Sequence, residues 1–144
     1  MTQPIFGLDA YSSTQIAARV EAAGVNKARM PAAPMFMLGV VAGGFISLGA
    51  LFHVVVVSDP LLPFAVQRVL GGLVFCLGLI LVVVAGAELF TGNNLLVMAW
   101  ADRKITSAEL ARNWALVYIA NAVGALGIAL LVYGAGHGDM AGGA

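Results

Sequence analysis

Long apolar runs separated by short polar stretches organise this chain from about residue 34 to residue 133. Before them, residues 12–24 place Ile16 and Val20 on one helical face. Ser12 or Ser13 can cap that helix and Gly24 can end it. This predicts a short amphipathic helix lying on a membrane surface, with a soluble extension as the alternative. Pro31 and Pro34 lead into the first long run, about residues 35–57, which is long enough to cross a hydrocarbon core of roughly 30 Å. Asp59, Pro60 and Pro63 turn the chain out of it. The next run, residues 64–100, is awkward: as one helix its 37 residues would be about 55 Å long. A span needs about 20 residues. Two spans and a turn do not fit, and tilt absorbs only part of the excess. The remaining solution is a broken helix, with a long piece at about 65–87, an irregular stretch, and a short piece at about 95–101. Gly86 and Gly92-Asn93-Asn94 are the breakers. After the polar loop ADRKITSAEL, Thr106 or Ser107 caps a third span at about 113–133, with Glu109 in its first turn.

Three segments follow: a cytoplasmic N-terminal segment over 1–33, a three-span unit over 34–133, and a glycine-rich tail over 134–144 expected to be disordered. Gly39 and Gly43 form a small-xxx-small pair, with Gly44 and Gly49 as further notches. Gly124 and Gly127 are expected to pack the third span. Asn121 at mid-span suits an interhelical hydrogen bond better than a pore-facing role.

Composition agrees with this pattern. Of 144 residues 61% are hydrophobic and 10% charged, and the mean hydropathy is +0.98. The class is an all-α membrane protein. Zero net charge and the lack of a basic-aromatic groove exclude a nucleic-acid partner. No metal-ligand cluster, cofactor fingerprint or nucleophile–base pair appears, so no enzyme and no cofactor are expected. The lone Cys76 reads as a buried, inert thiol. His53, near the far end of the first span, reads as a hydrogen-bonded interfacial residue. The N-terminus lacks the features of a signal peptide, so the first span is expected to direct insertion.

Lysine and arginine orient the chain. Arg19, Lys27, Arg29, Arg103, Lys104 and Arg112 lie on one side and Arg68 alone on the other, six against one. The N-terminus is expected inside, in the cell inner membrane, and the C-terminus outside.

Residues 86–94, GAELFTGNN, carry the chemistry. Polar, helix-breaking backbone at membrane depth persists only where protein covers it or where it lines a water-filled path. A broken helix offers unpaired N–H groups at a half-helix start, which favour an anion. Thr91 and the N–H groups around Gly92 and Asn93 can donate to a small oxyanion. Neutral donors also bind weakly enough to release it. Glu88 would repel an anion, and no basic residue in the sequence is obviously close enough to pair with it. It reads as an anchor for the loop, with proton coupling as the alternative. Phe75, Leu79 and Val82 or Val83 share a helical stripe upstream, and Leu89 and Phe90 follow.

VVAGAELFTG (83–92) resembles the signature of the formate/nitrite transporter family. The similarity extends to VEAAGVNKA (20–28), to residues 71–106 and to NWALVYIANAVGAL (113–126). The resemblance implies a pentamer in which each protomer has its own aquaporin-like pore for formate, nitrite or hydrosulfide. It implies that the second helix is broken by an Ω-type loop and that Thr91 contacts the anion. It also implies that Phe75, Leu79, Leu89 and Phe90 line apolar constrictions. The family has six spans in two inverted repeats, whereas three are present here. The resemblance therefore covers one inverted-repeat half, the first. Neither His53 nor His137 occupies the family's pore-histidine position. Formate transport is the leading expectation. A non-transporting three-span assembly subunit, or an inactive fragment, is the alternative.

Overall fold

A computed structural model describes residues 11–138, all helix and turn with no strand among them. The elements are α1 (Ser13–Ala28), α2 (Ala32–Val57), α3 (Phe64–Ala85), α4 (Phe90–Asn93), α5 (Leu96–Ala101) and α6 (Ser107–Gly134). Three of them, α2, α3 and α6, are long and apolar enough to cross a membrane. The sequence-based tail falls largely on residues 139–144, which lie outside the described residues, as do residues 1–10.

Side-chain capping boxes start α1 and α6. Ser12 Oγ accepts from Gln15 N–H at 3.3 Å while Gln15 Oε1 accepts from Ser12 N–H at 2.8 Å. Thr106 and Glu109 form the same reciprocal box at the start of α6, with Glu109 N–H to Thr106 Oγ1 at 3.2 Å and Thr106 N–H to Glu109 Oε2 at 2.7 Å. Pro31 and Pro63 stand at the N-caps of α2 and α3, where the preset φ of proline suits the start of a helix. In the turn between them Asp59 Oδ1 accepts from Leu61 N–H at 2.9 Å, a side-chain mimic of a backbone turn.

α2 is the central helix, with α6 on one flank and α3 on the other. Small residues set how closely they approach. A Cβ on Gly124 of α6 would collide with the backbone carbonyl of Val40, and one on Gly43 of α2 would collide with the carbonyl of Asn121. These helices cross backbone against backbone. Gly49 and Gly78 bring α2 and α3 together in the same way. Gly127, expected among the packing residues, faces open space because the crossing lies one turn earlier, at Gly124.

α1 runs past Gly24 to Ala28. Gly24 is not its stop; it is buried where α1 crosses α5, 3.4 Å from Ala99 Cβ by the position a Cβ would take. Ala28, Leu96, Ala99, Ile105 and Leu110 form a small core there, with Val25 and Trp114 against it. Polar contacts fasten the rim. Arg112 donates from Nη1 and Nη2 to Met30 O at 3.2 Å, and from Nη1 to Ala28 O at 3.5 Å, satisfying carbonyls at the end of α1. Arg29 donates to Lys104 O at 3.2 Å and pairs with Glu109 at 3.5 Å. Lys104 Nζ lies 2.6 Å from Glu21 Oε1, an ion pair without hydrogen-bond angles.

Candidate functional site at the helix break

α3 stops at Gly86, which takes φ 61°. There Gly86 N–H donates to Val83 O at 3.2 Å and Ala87 N–H to Val82 O at 3.0 Å. This is the Schellman closure, and its left-handed residue favours glycine. Residues 86–89 are irregular, α4 is one turn, and a second interruption at residues 94–95 precedes α5. The predicted break is therefore present at both sets of breakers. Helical geometry resumes at Phe90, so Gly92 and Asn93 lie inside a turn of helix.

Two neighbours hold the irregular backbone in place. Glu88 N–H donates to Leu38 O of α2 at 3.3 Å. Asn121 of α6 adds three bonds: its Nδ2 donates to Glu88 O at 2.9 Å and to Gly39 O at 2.8 Å, and its Oδ1 accepts from Phe90 N–H at 2.9 Å. Asn121 is thus an interhelical hydrogen-bonding group that also ties down the loop. Without it, an N–H and two carbonyls at membrane depth would lack this partner.

Glu88 has a counter-charge, contrary to the sequence reading. Lys27 Nζ of α1 lies 2.9 Å from Glu88 Oε1 and donates also to Asn93 Oδ1 at 3.1 Å. The correction has a simple cause: α1 folds back under the break and brings together residues 61 positions apart. Asn93 closes the ring, donating to Glu88 Oε2 at 2.8 Å and to Asn113 Oδ1 at 3.0 Å. Asn113 in turn donates to Lys27 O at 3.2 Å, and Trp114 Nε1 to Asn93 O at 3.0 Å. Glu88, Asn93 and Asn113 are buried, at 2%, 0% and 0% exposure. The Asn93 oxygen has its donor and its amide nitrogen two acceptors. Asn93 therefore belongs to the support beneath the loop, not beside Thr91 on a path.

Above that support, Thr91 and Gly92 are exposed, and a Cβ on Gly92 would meet nothing within 4 Å. Among the described residues no acceptor bonds the N–H of Thr91 or Gly92, as expected in a first helical turn. Leu79 is 52% and Phe75 39% exposed on α3. Leu89 packs on the core of Ala42, Val82 and Ala87. Phe90 lies edge-on to Tyr118 and Trp114, at 5.4 and 6.4 Å between ring centroids. Phe75 meets His53 edge to face at 6.3 Å. Cys76, expected to be buried, is exposed on α3 with Sγ donating to Gly72 O at 3.4 Å, because α3 packs α2 along its glycine face. Among the described residues no group of three His, Cys, Asp or Glu side chains could hold a metal ion.

Sequence reasoning did not find Lys27, Asn113 or Trp114 as partners of the break. Lys27 counts in the charge bias like any inner-side lysine. The one available hint was that its segment, VEAAGVNKA, belongs to the resemblance although it lies outside the spans.

Residues 14–143 match the family described as formate/nitrite transporter. The formate channel FocA of Escherichia coli (strain K12) is 43% identical over 118 residues, which are 81% of this chain and 41% of that protein. The uncharacterized transporter YrhG of Bacillus subtilis (strain 168) is 44% identical over 117 residues, 80% of this chain and 44% of that protein. A solved structure described as an FNT family ion channel aligns with a TM-score of 0.73 and 26% identity, over 85% of this chain and 50% of that one. The chain spans about half the length of the relatives it matches.

Proposed function

The chain belongs to the formate/nitrite transporter family, and we propose that it contributes one wall of a path for small monovalent anions, formate first. Nitrite and hydrosulfide are the other candidates. It is an integral, multi-pass membrane protein that moves its substrate without covalent chemistry. The observation that carries this reading is the break itself. Exposed Thr91 and Gly92 present a hydroxyl and two unbonded N–H groups, while the Lys27–Glu88 pair is kept beneath them with its charges matched. An anion approaching the loop meets neutral donors and no uncompensated carboxylate. The exposed apolar residues Phe75 and Leu79 supply a surface that hydrated cations avoid. Leu89 and Phe90 extend that surface at the loop.

In the assembled protein we place the N-terminus and α1 in the cytoplasm at the inner membrane, the α2–α3 turn outside, and five protomers around a common axis, each with its own path. Thr91→Ala is expected to lower formate flux into proteoliposomes several-fold while leaving thermal stability unchanged. Equal flux in the variant would remove Thr91 from the path.

A second reading is favoured by the open side of the chain, where Thr91 and Leu79 lack an opposing wall. On this reading the chain is a non-transporting three-span assembly subunit. Formate uptake by cells expressing this chain alone separates the two.

A further inference from the structure

The turn that carries Thr91 is too short to hold its own shape. α4 is four residues, Phe90–Asn93, and a single helical turn does not repay the cost of its own nucleation. Its geometry is imposed from outside, and one face of α6 supplies the grip. Trp114, Tyr118 and Asn121 lie at i, i+4 and i+7 of that helix. Asn121 Oδ1 takes the Phe90 N–H at 2.9 Å. The Phe90 ring stands edge to face against Tyr118, at 5.4 Å and 73°, and against Trp114, at 6.4 Å and 70°.

Trp114 also reaches the other end of the turn. Its Nε1 donates to Asn93 O at 3.0 Å, and among the described residues no backbone N–H reaches that carbonyl. One indole thus meets the first residue of α4 with its ring and the last with its N–H. Tyr118 is different: it is 63% exposed, and Phe90 is the one ring it meets among the described residues.

We propose that Trp114 and Tyr118 are positioning residues that fix the Phe90 ring and so set the largest anion that passes the loop. The proposal rests on the reading of Phe90 as a wall of the path. A site keeps its dimensions when the residues that line it are themselves locked by their neighbours. A ring gripped by two aromatic neighbours cannot withdraw as a bulkier anion arrives. A smaller, non-aromatic residue at 118 removes one side of the grip and leaves the ring room to withdraw. The Tyr118 hydroxyl plays no part in this, whereas Trp114 acts through both its ring and its N–H.

The test measures acetate and formate uptake side by side in proteoliposomes holding the full chain. A loss of folded protein scales both fluxes and leaves their ratio alone. The acetate-to-formate ratio is expected to rise several-fold in Tyr118→Leu and in Trp114→Leu, and to keep the parent value in Tyr118→Phe. Tyr118 is exposed enough for its variants to fold where Trp114→Leu does not. In parallel, 4-fluorophenylalanine at position 90 in lipid nanodiscs reports the ring: its resonance should move toward the random-coil position in Tyr118→Leu and stay in Tyr118→Phe. A ratio that either folded leucine variant leaves unchanged while Phe90→Ala raises it overturns the proposal. So does a ratio that rises equally in Tyr118→Phe, or a fluorine resonance that Tyr118→Leu leaves in place. The path reading fails separately: if the parent carries no formate, or Phe90→Ala leaves the ratio unchanged, Phe90 is not a wall of the path and the size limit falls with it, while the fluorine resonance still decides whether the ring is held.

Discussion

Replacing Lys27 with methionine tests the support beneath the break most directly. The substitution keeps most of the side-chain length but removes the charge that faces Glu88 at 2.9 Å. Glu88 is then a nearly buried carboxylate with Asn93 as its remaining donor. Stripping one partner from a buried ion pair costs about 3–5 kcal/mol, while an exposed pair is worth about 0–1 kcal/mol. The Glu88 side chain is 3% exposed and the Lys27 side chain 32%, so this pair falls between the limits but nearer the first. The expected loss is roughly 2–4 kcal/mol, or roughly 5–15 °C in Tm for a chain of this size. The assay is thermal unfolding in detergent, followed by circular dichroism and by tryptophan fluorescence, since Trp114 donates to Asn93 O within the same network. Lys27→Met/Glu88→Met removes both charges, and apolar replacement of an ion pair is often close to neutral. The double variant should therefore recover about half or more of the loss. A single variant within about 0.5 kcal/mol of the parent would refute the reasoning. So would a double variant less stable than either single one.

Three further outcomes follow from the packing. Asn121→Ala strands Phe90 N–H and the Glu88 carbonyl and takes the second donor from Gly39 O; it should cost about 2 kcal/mol, read as Tm, and lower formate flux by misplacing Thr91. Gly124→Leu forces apart helices that touch at the Val40 carbonyl. It should cost about 3 kcal/mol or more and reduce the folded yield seen by size-exclusion chromatography. Gly86→Ala puts a Cβ on a residue at φ 61° and should lower stability by about 1–2 kcal/mol in the same melting assay, with no steric clash to add to it.

Much of the site was legible as a one-dimensional pattern. Thr91 and Gly92 stood out because polar and small residues are costly inside an apolar run, and both are exposed at the loop. Asn93 stood out for the same reason, but its place is with Glu88 and Asn113 beneath the loop. Polarity marks a residue as needing partners; it does not say whether those partners are protein or substrate. Asn121 was readable as a hydrogen-bonding group because its mid-span position makes an unpaired amide expensive. That it caps Phe90 N–H needed the helix crossing, since 31 residues separate them.

By itself the sequence determined the class, the three spanning helices, the cap of the third and the position of the break. All of these follow from run length, periodicity and breakers, which act over a few residues at a time. Tertiary structure alone decided that Lys27 is the counter-charge of Glu88, that Gly24 is a packing surface and not a helix stop, and that Gly124 rather than Gly127 carries the crossing. The reason is physical. A buried charge demands a partner wherever one can be brought, and a glycine is a notch only where a second backbone arrives. Both depend on how α1 and α6 lie against the broken helix, a relation between distant segments that no local pattern encodes.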